Sequence, residues 1–265
     1  MTGTSAGLAV ETEALGRRFG RQMAVDGLDL RVPEGAFYGF LGPNGAGKST
    51  TINILTGLLD PTSGRARVLG RDVVGEPLEV KRRIGVVPDG LHLFERLSGE
   101  EHLRFVGRVF GLAAAETERR IRDLLDAMEL GGDARKLVAG YSHGMRKKLA
   151  LACALISNPR LLFLDEPFEG VDAVAARGLR ELLGRLVAGG HTTVFLTSHV
   201  LEIVERLCSH VGIIAGGRLV ADGRLEDLRR DPGGGARSLE DLFVSAVGGE
   251  RAAPAELPWL GGGPG

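Results

Sequence analysis

A glycine-rich segment from Gly42 to Ser49 has the residue types and spacing of a phosphate-binding loop. It reads Gly-Pro-Asn-Gly-Ala-Gly-Lys-Ser, matches the pattern GxxxxGK[ST], and lies between an apolar strand candidate and a helical pattern. Glycines let backbone N–H groups point at phosphate oxygens, and the following helix N-terminus adds positive charge. This context favours a phosphate site over a glycine-rich turn with an incidental lysine. The residues predicted to bind nucleotide are Gly42, Pro43, Asn44, Gly45, Ala46, Gly47, Lys48, Ser49 and Thr50.

Within this loop, Lys48 is expected to reach the β- and γ-phosphates, and the Ser49 hydroxyl is expected to bind Mg²⁺. Phosphoryl transfer also needs a further Mg²⁺ ligand and a base, and a second segment supplies two acidic residues for these roles. Asp165 and Glu166 follow the apolar run 161–164, and ligands collect at the carboxyl ends of strands in open α/β sheets. We therefore expect Asp165 to hold Mg²⁺, directly or through water, and Glu166 to polarise an attacking water.

Composition limits the classes of protein to which this chain can belong. Its 265 residues are 43% hydrophobic and 25% charged, which excludes wholesale disorder and a disulfide scaffold and allows one sizeable domain. Cys153 and Cys208 lie in apolar stretches and are predicted to be buried. The 33 basic and 34 acidic residues leave a formal charge of -1, so no nucleic-acid partner is expected.

No targeting or membrane segment is predicted. The first ten residues do not combine a basic stretch with an apolar run, so a secretion signal is not expected. The longest uninterrupted apolar run, 149–156, is far shorter than the roughly 18 residues that a membrane span needs.

Short apolar runs alternate with helical patterns, which predicts an α/β fold with a largely parallel sheet. The predicted strands are 37–41, 84–87, 161–164 and 193–197, with a hairpin formed by 211–215 and 218–221. The predicted helices are 48–58, 98–110, one with an apolar face at 121–128, 142–157 and 239–247.

The segment Tyr141-Ser142-His143-Gly144-Met145 precedes the strand that ends near Asp165. With the phosphate loop, this order of motifs resembles the ATP-binding subunit of an ATP-binding-cassette (ABC) transporter over about residues 8–223. The segment stands where that family has its signature loop, most often written LSGGQ. The resemblance implies that Ser142 and Gly144 face the γ-phosphate of an ATP bound by a second subunit. Ser142 also suits the cap of its own helix.

Three other positions of the sequence match further motifs of the family. Asp172 ends the segment Glu169-Gly170-Val171-Asp172 at the position of the D-loop, and His199 follows Ser198 as the family's switch histidine does. The resemblance implies that His199 senses the γ-phosphate. Phe19 matches the aromatic residue that stacks on adenine, with a plain core role as the alternative.

The chain departs from the family at the Q-loop. Residues 84–89 align with that loop, whose glutamine meets both Mg²⁺ and the transmembrane partner, and here Asp89 takes the place of the glutamine. Asp89 is therefore either an additional Mg²⁺ ligand beside the nucleotide, a cap of the following turn, or a contact to the permease.

The resemblance implies a P-loop α/β core with a mostly parallel sheet, an antiparallel β subdomain and an inserted helical subdomain at about 91–158. These parts make up an ATP-binding domain at 1–223, followed by a C-terminal helical extension at 224–247 and a flexible tail at 248–265. The Ser-x-Gly-Met signature and the segment 238–243 resemble subunits paired with ABC-2-type permeases, which mostly export.

The function so implied is ATP hydrolysis that drives export, with ATP and Mg²⁺ as cofactors. The implied partners are separately encoded transmembrane permease subunits and a second ATP-binding subunit, in a homodimer or heterodimer at the cytoplasmic face of the membrane. One alternative is a non-transport ABC ATPase of translation or DNA repair, which usually carries tandem cassettes or long coiled coils. The other is a P-loop kinase, which has no use for the signature or His199.

Overall fold

The computed structural model of the chain describes residues 7–230 and 237–248, and strands and helices alternate along these ranges. The strands are β1 (Leu8–Phe19), β2 (Gln22–Leu28), β3 (Arg31–Pro33), β4 (Phe37–Leu41), β5 (Ser63–Val68), β6 (Arg71–Asp72), β7 (Ile84–Val87), β8 (Leu161–Asp165), β9 (Thr193–Ser198), β10 (His210–Ala215) and β11 (Arg218–Arg224). The helices are α1 (Lys48–Leu55), α2 (Pro77–Lys81), α3 (Gly99–Val109), α4 (Ala114–Ala127), α5 (His143–Leu155), α6 (Ala173–Ala188), α7 (Leu201–Leu207), α8 (Leu225–Leu228) and α9 (Leu239–Val247).

The larger sheet has the strand order β11-β10-β4-β9-β8-β7. Its neighbouring strands are parallel, except for the antiparallel hairpin of β10 and β11. Every residue of β4, β8 and β9 is buried, as expected where both faces of a parallel sheet are covered. The carboxyl ends of these central strands therefore lie side by side, and the chemistry-bearing loops follow them.

The smaller sheet is antiparallel, with the order β2-β1-β5-β6 and β3 also paired to β1. Apolar residues of both sheets share one core, in which the rings of Tyr38, Phe40 and Phe163 each lie 5.4 Å from the ring of Phe195. The predicted fold class, an α/β P-loop core with an additional antiparallel sheet, is confirmed.

Helices α3, α4 and α5 fall within the range 91–158, where a helical insertion is expected. Ser98 and Glu101 form the predicted capping box, in which the Ser98 hydroxyl accepts from the Glu101 N–H and the Glu101 carboxylate accepts from the Ser98 N–H. The apolar face of α4 is buried through Ile121 and Leu125, so the predicted amphipathic helix is confirmed.

Helix α1 ends at Leu55, before the predicted end at residue 58. Gly57 has a φ of 67°, and this left-handed conformation is a common way to end a helix. Helix α9 forms over the predicted 239–247. The tail predicted for 248–265 lies, apart from Gly248, outside the described residues.

The structure describes both cysteines and every helix that was considered as a membrane span. Both cysteines are free; Cys208 is buried as predicted, whereas Cys153 is only partly buried. Desolvation raises the pKa of both thiols, to about 12 for Cys153. Within 7–230 and 237–248, none of the helices combines the length and the apolar character that crossing a bilayer requires.

Candidate functional site: a phosphate loop facing two carboxylates

The phosphate loop connects the end of β4 to the start of α1, which begins at Lys48. Gly47 stands at the N-cap of α1 with a φ of 110°, and a Cβ at this residue would overlap the Ala24 carbonyl oxygen. Only glycine fits both the conformation and the space. Glycine at this position therefore fixes the backbone where the loop enters helix α1, and a helix N-terminus favours an anion.

Lys48 is held inside this loop. Its side chain is buried, and its Nζ donates to the carbonyl oxygens of Gly42 and Pro43, at 2.7 and 3.3 Å. The ammonium is consequently anchored to the loop that it closes, next to the helix N-terminus. The Lys48 ammonium and the N-terminus of α1 therefore place two positive groups beside the phosphate loop.

A cleft of about 550 Å³ opens over the loop and brings most of the predicted site residues together. The predicted residues that line it are Phe19, Pro43, Asn44, Gly45, Ala46, Gly47, Lys48, Ser49, Thr50, Asp89, Asp165, Glu166 and His199. Gly42 contributes its carbonyl to Lys48 at the base of the loop. Ser142, Gly144 and Asp172 do not line this cleft.

Asp165 lies at the end of β8, buried at the cleft floor. The Thr197 hydroxyl donates to its Oδ1 at 2.5 Å, which fixes the carboxylate and leaves its other oxygen for a ligand. Ser49 and Asp89 supply further oxygens to the same cleft. Within the described residues, no cluster of three or more His, Cys, Asp or Glu residues forms a metal site made by the protein alone. The oxygens of Asp165, Asp89 and Ser49 fit Mg²⁺, because this ion usually binds one or two carboxylates together with substrate phosphates.

Glu166 and His199 meet at the carboxyl ends of the adjacent strands β8 and β9. The Glu166 Oε2 lies 3.0 Å from the His199 Nδ1 and accepts from the His199 backbone N–H at 3.4 Å. The imidazole is half exposed, and both side chains line the cleft. The arrangement places a carboxylate where it can polarise a water beside the phosphate loop, with a histidine that orients it.

A buried lysine lies beneath this pair. The Nζ of Lys147, on α5, donates to the Glu166 carbonyl oxygen at 2.6 Å. Burial lowers the pKa of Lys147 below its ordinary value, and the negative charge of Asp89 is the largest influence that opposes this shift.

Phe19 lies at the rim of the cleft with about half of its side chain exposed. The guanidinium of Arg17 lies over its ring, 4.7 Å from the centroid, and is tied to the Asp60 carbonyl at 2.7 Å. Arg17 therefore covers one face of the ring, and the other face is the one a nucleotide base could stack on. This exposure argues against a plain core role for Phe19.

The signature segment forms a separate surface. Ser142 is the N-cap of α5, and its hydroxyl accepts from the Met145 N–H at 3.2 Å. Asp172 caps α6 in the same way, and its hydrogen bonds from the N–H groups of Ala175 and Val174 hold its pKa below the ordinary value. A Cβ on Gly144 would lie 3.7 Å from the Asp172 Oδ2, so the two segments adjoin each other, away from this chain's own phosphate loop.

Sequence reasoning missed several residues of the site. Gln22 and Ala24 line the cleft from β2, and Glu169 lines it from the turn after β8. Thr197 and Lys147 fix the acidic pair from below. Thr197 is one polar residue in an apolar strand, and Lys147 belongs to the basic run 146–148, which is typical of a solvated surface. Neither position carries a signal of its own.

A parallel sheet with a phosphate loop after one strand and an acidic pair after another defines a P-loop nucleoside triphosphatase. The family model described as "ABC transporter" matches residues 25–169, and the chain belongs to that family. It is therefore an ATP-binding subunit with ATPase chemistry, as the sequence predicted.

Known proteins agree with this assignment. The chain is 40% identical over 258 residues to the daunorubicin resistance ATP-binding protein DrrA3 of Streptomyces coeruleorubidus, covering 97% of this chain and 80% of that protein. It is 42% identical to the daunorubicin/doxorubicin resistance ATP-binding protein DrrA of Streptomyces peucetius, covering 94% and 76%. A solved ATP-binding subunit of an ABC transporter superposes with a TM-score of 0.84 at 34% identity, covering 91% of this chain and 99% of that one.

Proposed function

We propose that this chain hydrolyses Mg²⁺-bound ATP to drive export of a drug-type small molecule through a separate transmembrane permease. The observation that carries the proposal is the cleft in which Lys48 and Ser49 face Asp165, Glu166 and His199. The relatives named for daunorubicin resistance support export rather than import.

In this proposal, the main residues of the cleft have different roles in binding and hydrolysis. The loop N–H groups and Lys48 bind the phosphates, and Ser49 and Asp165 hold Mg²⁺. The metal, when bound, neutralises charge that develops on the phosphate oxygens. Glu166 accepts a hydrogen bond from the attacking water, and His199 orients Glu166 and contacts the γ-phosphate.

The proposed working unit is a dimer, homomeric or heteromeric. Ser142 and Gly144 lie at an exposed helix N-terminus outside this chain's own cleft, so the phosphate that they would bind belongs to another subunit's ATP. Asp172 adjoins them and belongs to the same interface.

We also propose where the permease docks. Phe94 and Phe105 pack edge to face with ring centroids 5.7 Å apart, yet they are 54% and 48% exposed. Val109, one turn further along α3, is 68% exposed. The Phe94 N–H donates to the buried His102 Nε2 at 2.7 Å, which fixes this patch in place. An exposed, fixed apolar patch on the segment that follows Asp89 suits an apolar cytoplasmic segment of the permease.

The double variant Phe94→Ser/Phe105→Ser is expected to keep its basal ATPase rate, because neither ring lines the cleft, but to lose binding to the permease. Co-purification from membranes, with drug efflux measured in the same cells, checks this. Val220→Ser, an exposed apolar residue on β11, is the matched control. Unchanged co-purification and efflux in the double variant would remove this patch as the docking surface.

Asp89 lines the cleft beside Asp165 and Glu166, which supports the proposal that it approaches the metal. Asp89→Asn removes a charged oxygen and is expected to change the Mg²⁺ concentration needed for half-maximal ATPase activity. Asp89→Ala is expected to cost less activity than Asp165→Ala, because water replaces a peripheral ligand. An unchanged Mg²⁺ dependence in Asp89→Asn would remove Asp89 from the metal site.

The proposed division of the chain is an ATP-binding domain at 1–223 with helical insertion at about 91–158, then a helical extension at 224–247. The proposed location is the cytoplasmic face of the membrane, held there through the permease.

A further inference from the structure

Lys147 is a buried cation on the helix that begins with the signature segment. Its side chain is only 3% exposed, and its Nζ donates to a backbone carbonyl, that of Glu166, at 2.6 Å. A buried lysine costs free energy unless its charge is balanced and its N–H groups are bonded. A residue that only packs the core would be better served by an apolar side chain, so the ammonium needs an explanation of its own.

The backbone that Lys147 holds is strained. Glu166 has a φ of 48°, in the left-handed region that non-glycine residues rarely adopt. Its N–H donates to the Thr197 hydroxyl at 3.1 Å, and its carbonyl accepts from Lys147. The backbone of Glu166 is thus bonded on both sides, by Thr197 from β9 and by Lys147 from α5. These bonds set where its carboxylate lies.

Glu166 lines the cleft together with Asp89, Asp165 and Glu169. The backbone that Lys147 holds therefore belongs to the acidic side of a site that must also receive phosphates.

We propose that Lys147 is a positioning residue, which fixes the backbone of Glu166 to helix α5. The proposal rests on the proposed role of Glu166 in hydrolysis. Lys147 does not line the cleft itself, so it acts on turnover through Glu166 rather than on nucleotide binding.

The test separates turnover from binding in the 265-residue chain. Lys147→Met is expected to lower kcat by about 10- to 100-fold, the scale of a small misplacement of a reacting group. Its affinity for a fluorescent ATP analogue is expected to stay within about two-fold, because the phosphate loop is untouched. Lys147→Arg, which keeps the charge and a donor, is expected to recover part of the rate. Lys136→Met, which removes an exposed lysine paired with Asp133, is the control.

An unchanged kcat in Lys147→Met, or a loss of ATP affinity as large as the loss of kcat, would overturn the positioning role. Glu166→Gln, measured alongside, separates these outcomes from a failure of the proposed function: if that variant also turns over normally, Glu166 itself has been assigned wrongly.

Discussion

Replacing Glu166 with glutamine is expected to lower ATP turnover by about 10²- to 10⁴-fold, the usual contribution of a general base. The amide keeps the size of the side chain but cannot take up a proton from the attacking water. ATP binding is expected to persist, because Lys48 and the loop are unchanged and the backbone of Glu166 stays bonded to Thr197 and Lys147. ATP-bound dimers should consequently accumulate.

Steady-state ATPase rates and size-exclusion chromatography with and without ATP measure this effect. Glu181→Gln is the matched control, since Glu181 pairs with Arg177 on the surface of α6. Parental turnover in Glu166→Gln would show that another group activates the water.

Replacing Ser142 with arginine is expected to remove hydrolysis by the dimer while leaving ATP binding by the altered chain intact. Ser142 lies outside its own cleft, so the loss would arise at the partner's γ-phosphate. Removing one preorganised donor typically costs about 10²- to 10³-fold in kcat, and the larger side chain also hinders close approach of the subunits. The helix cap is lost as well, for which roughly 1 kcal/mol of stability is expected.

Nucleotide affinity, ATPase rate and thermal unfolding measured on one preparation separate these effects. Ser245→Arg, at an exposed position on helix α9, controls for the added charge and bulk. A loss of ATP affinity in Ser142→Arg that equals its loss of turnover would place Ser142 at its own chain's nucleotide instead.

The centre of the fold could be predicted because its signals are local. Strands β4, β8 and β9 are buried throughout and are visible in the sequence as apolar runs, and the phosphate loop has a spacing of its own. Parallel strands end at the same edge of a sheet, so the meeting of Glu166 with His199 follows from the strand assignments.

The smaller sheet could not be predicted strand by strand. β1 has irregular pairing near Leu15 and Arg17, and Ala14 has a φ of 46°. Such bulges interrupt the alternation of apolar and polar residues that identifies a strand. The sheet was expected only through the family resemblance.

The supporting residues of the site escaped prediction for a different reason. The bond from Lys147 to the Glu166 carbonyl joins a helix to a strand end, and no residue type near either position requires it. Such contacts depend on how elements pack together, which periodicity and motif spacing do not encode.

Mixing two inactive variants, Lys48→Ala and Ser142→Arg, tests whether each ATP site is shared between two chains. In a mixed dimer, one composite site carries both defects and the other carries neither, because each site takes Lys48 from one chain and Ser142 from its partner. The mixture is expected to recover ATPase activity that neither variant has alone, and this activity should rise faster than linearly with protein concentration. A mixture as inactive as its components, with activity of the parent strictly proportional to concentration, would contradict the shared site and point to a self-contained one.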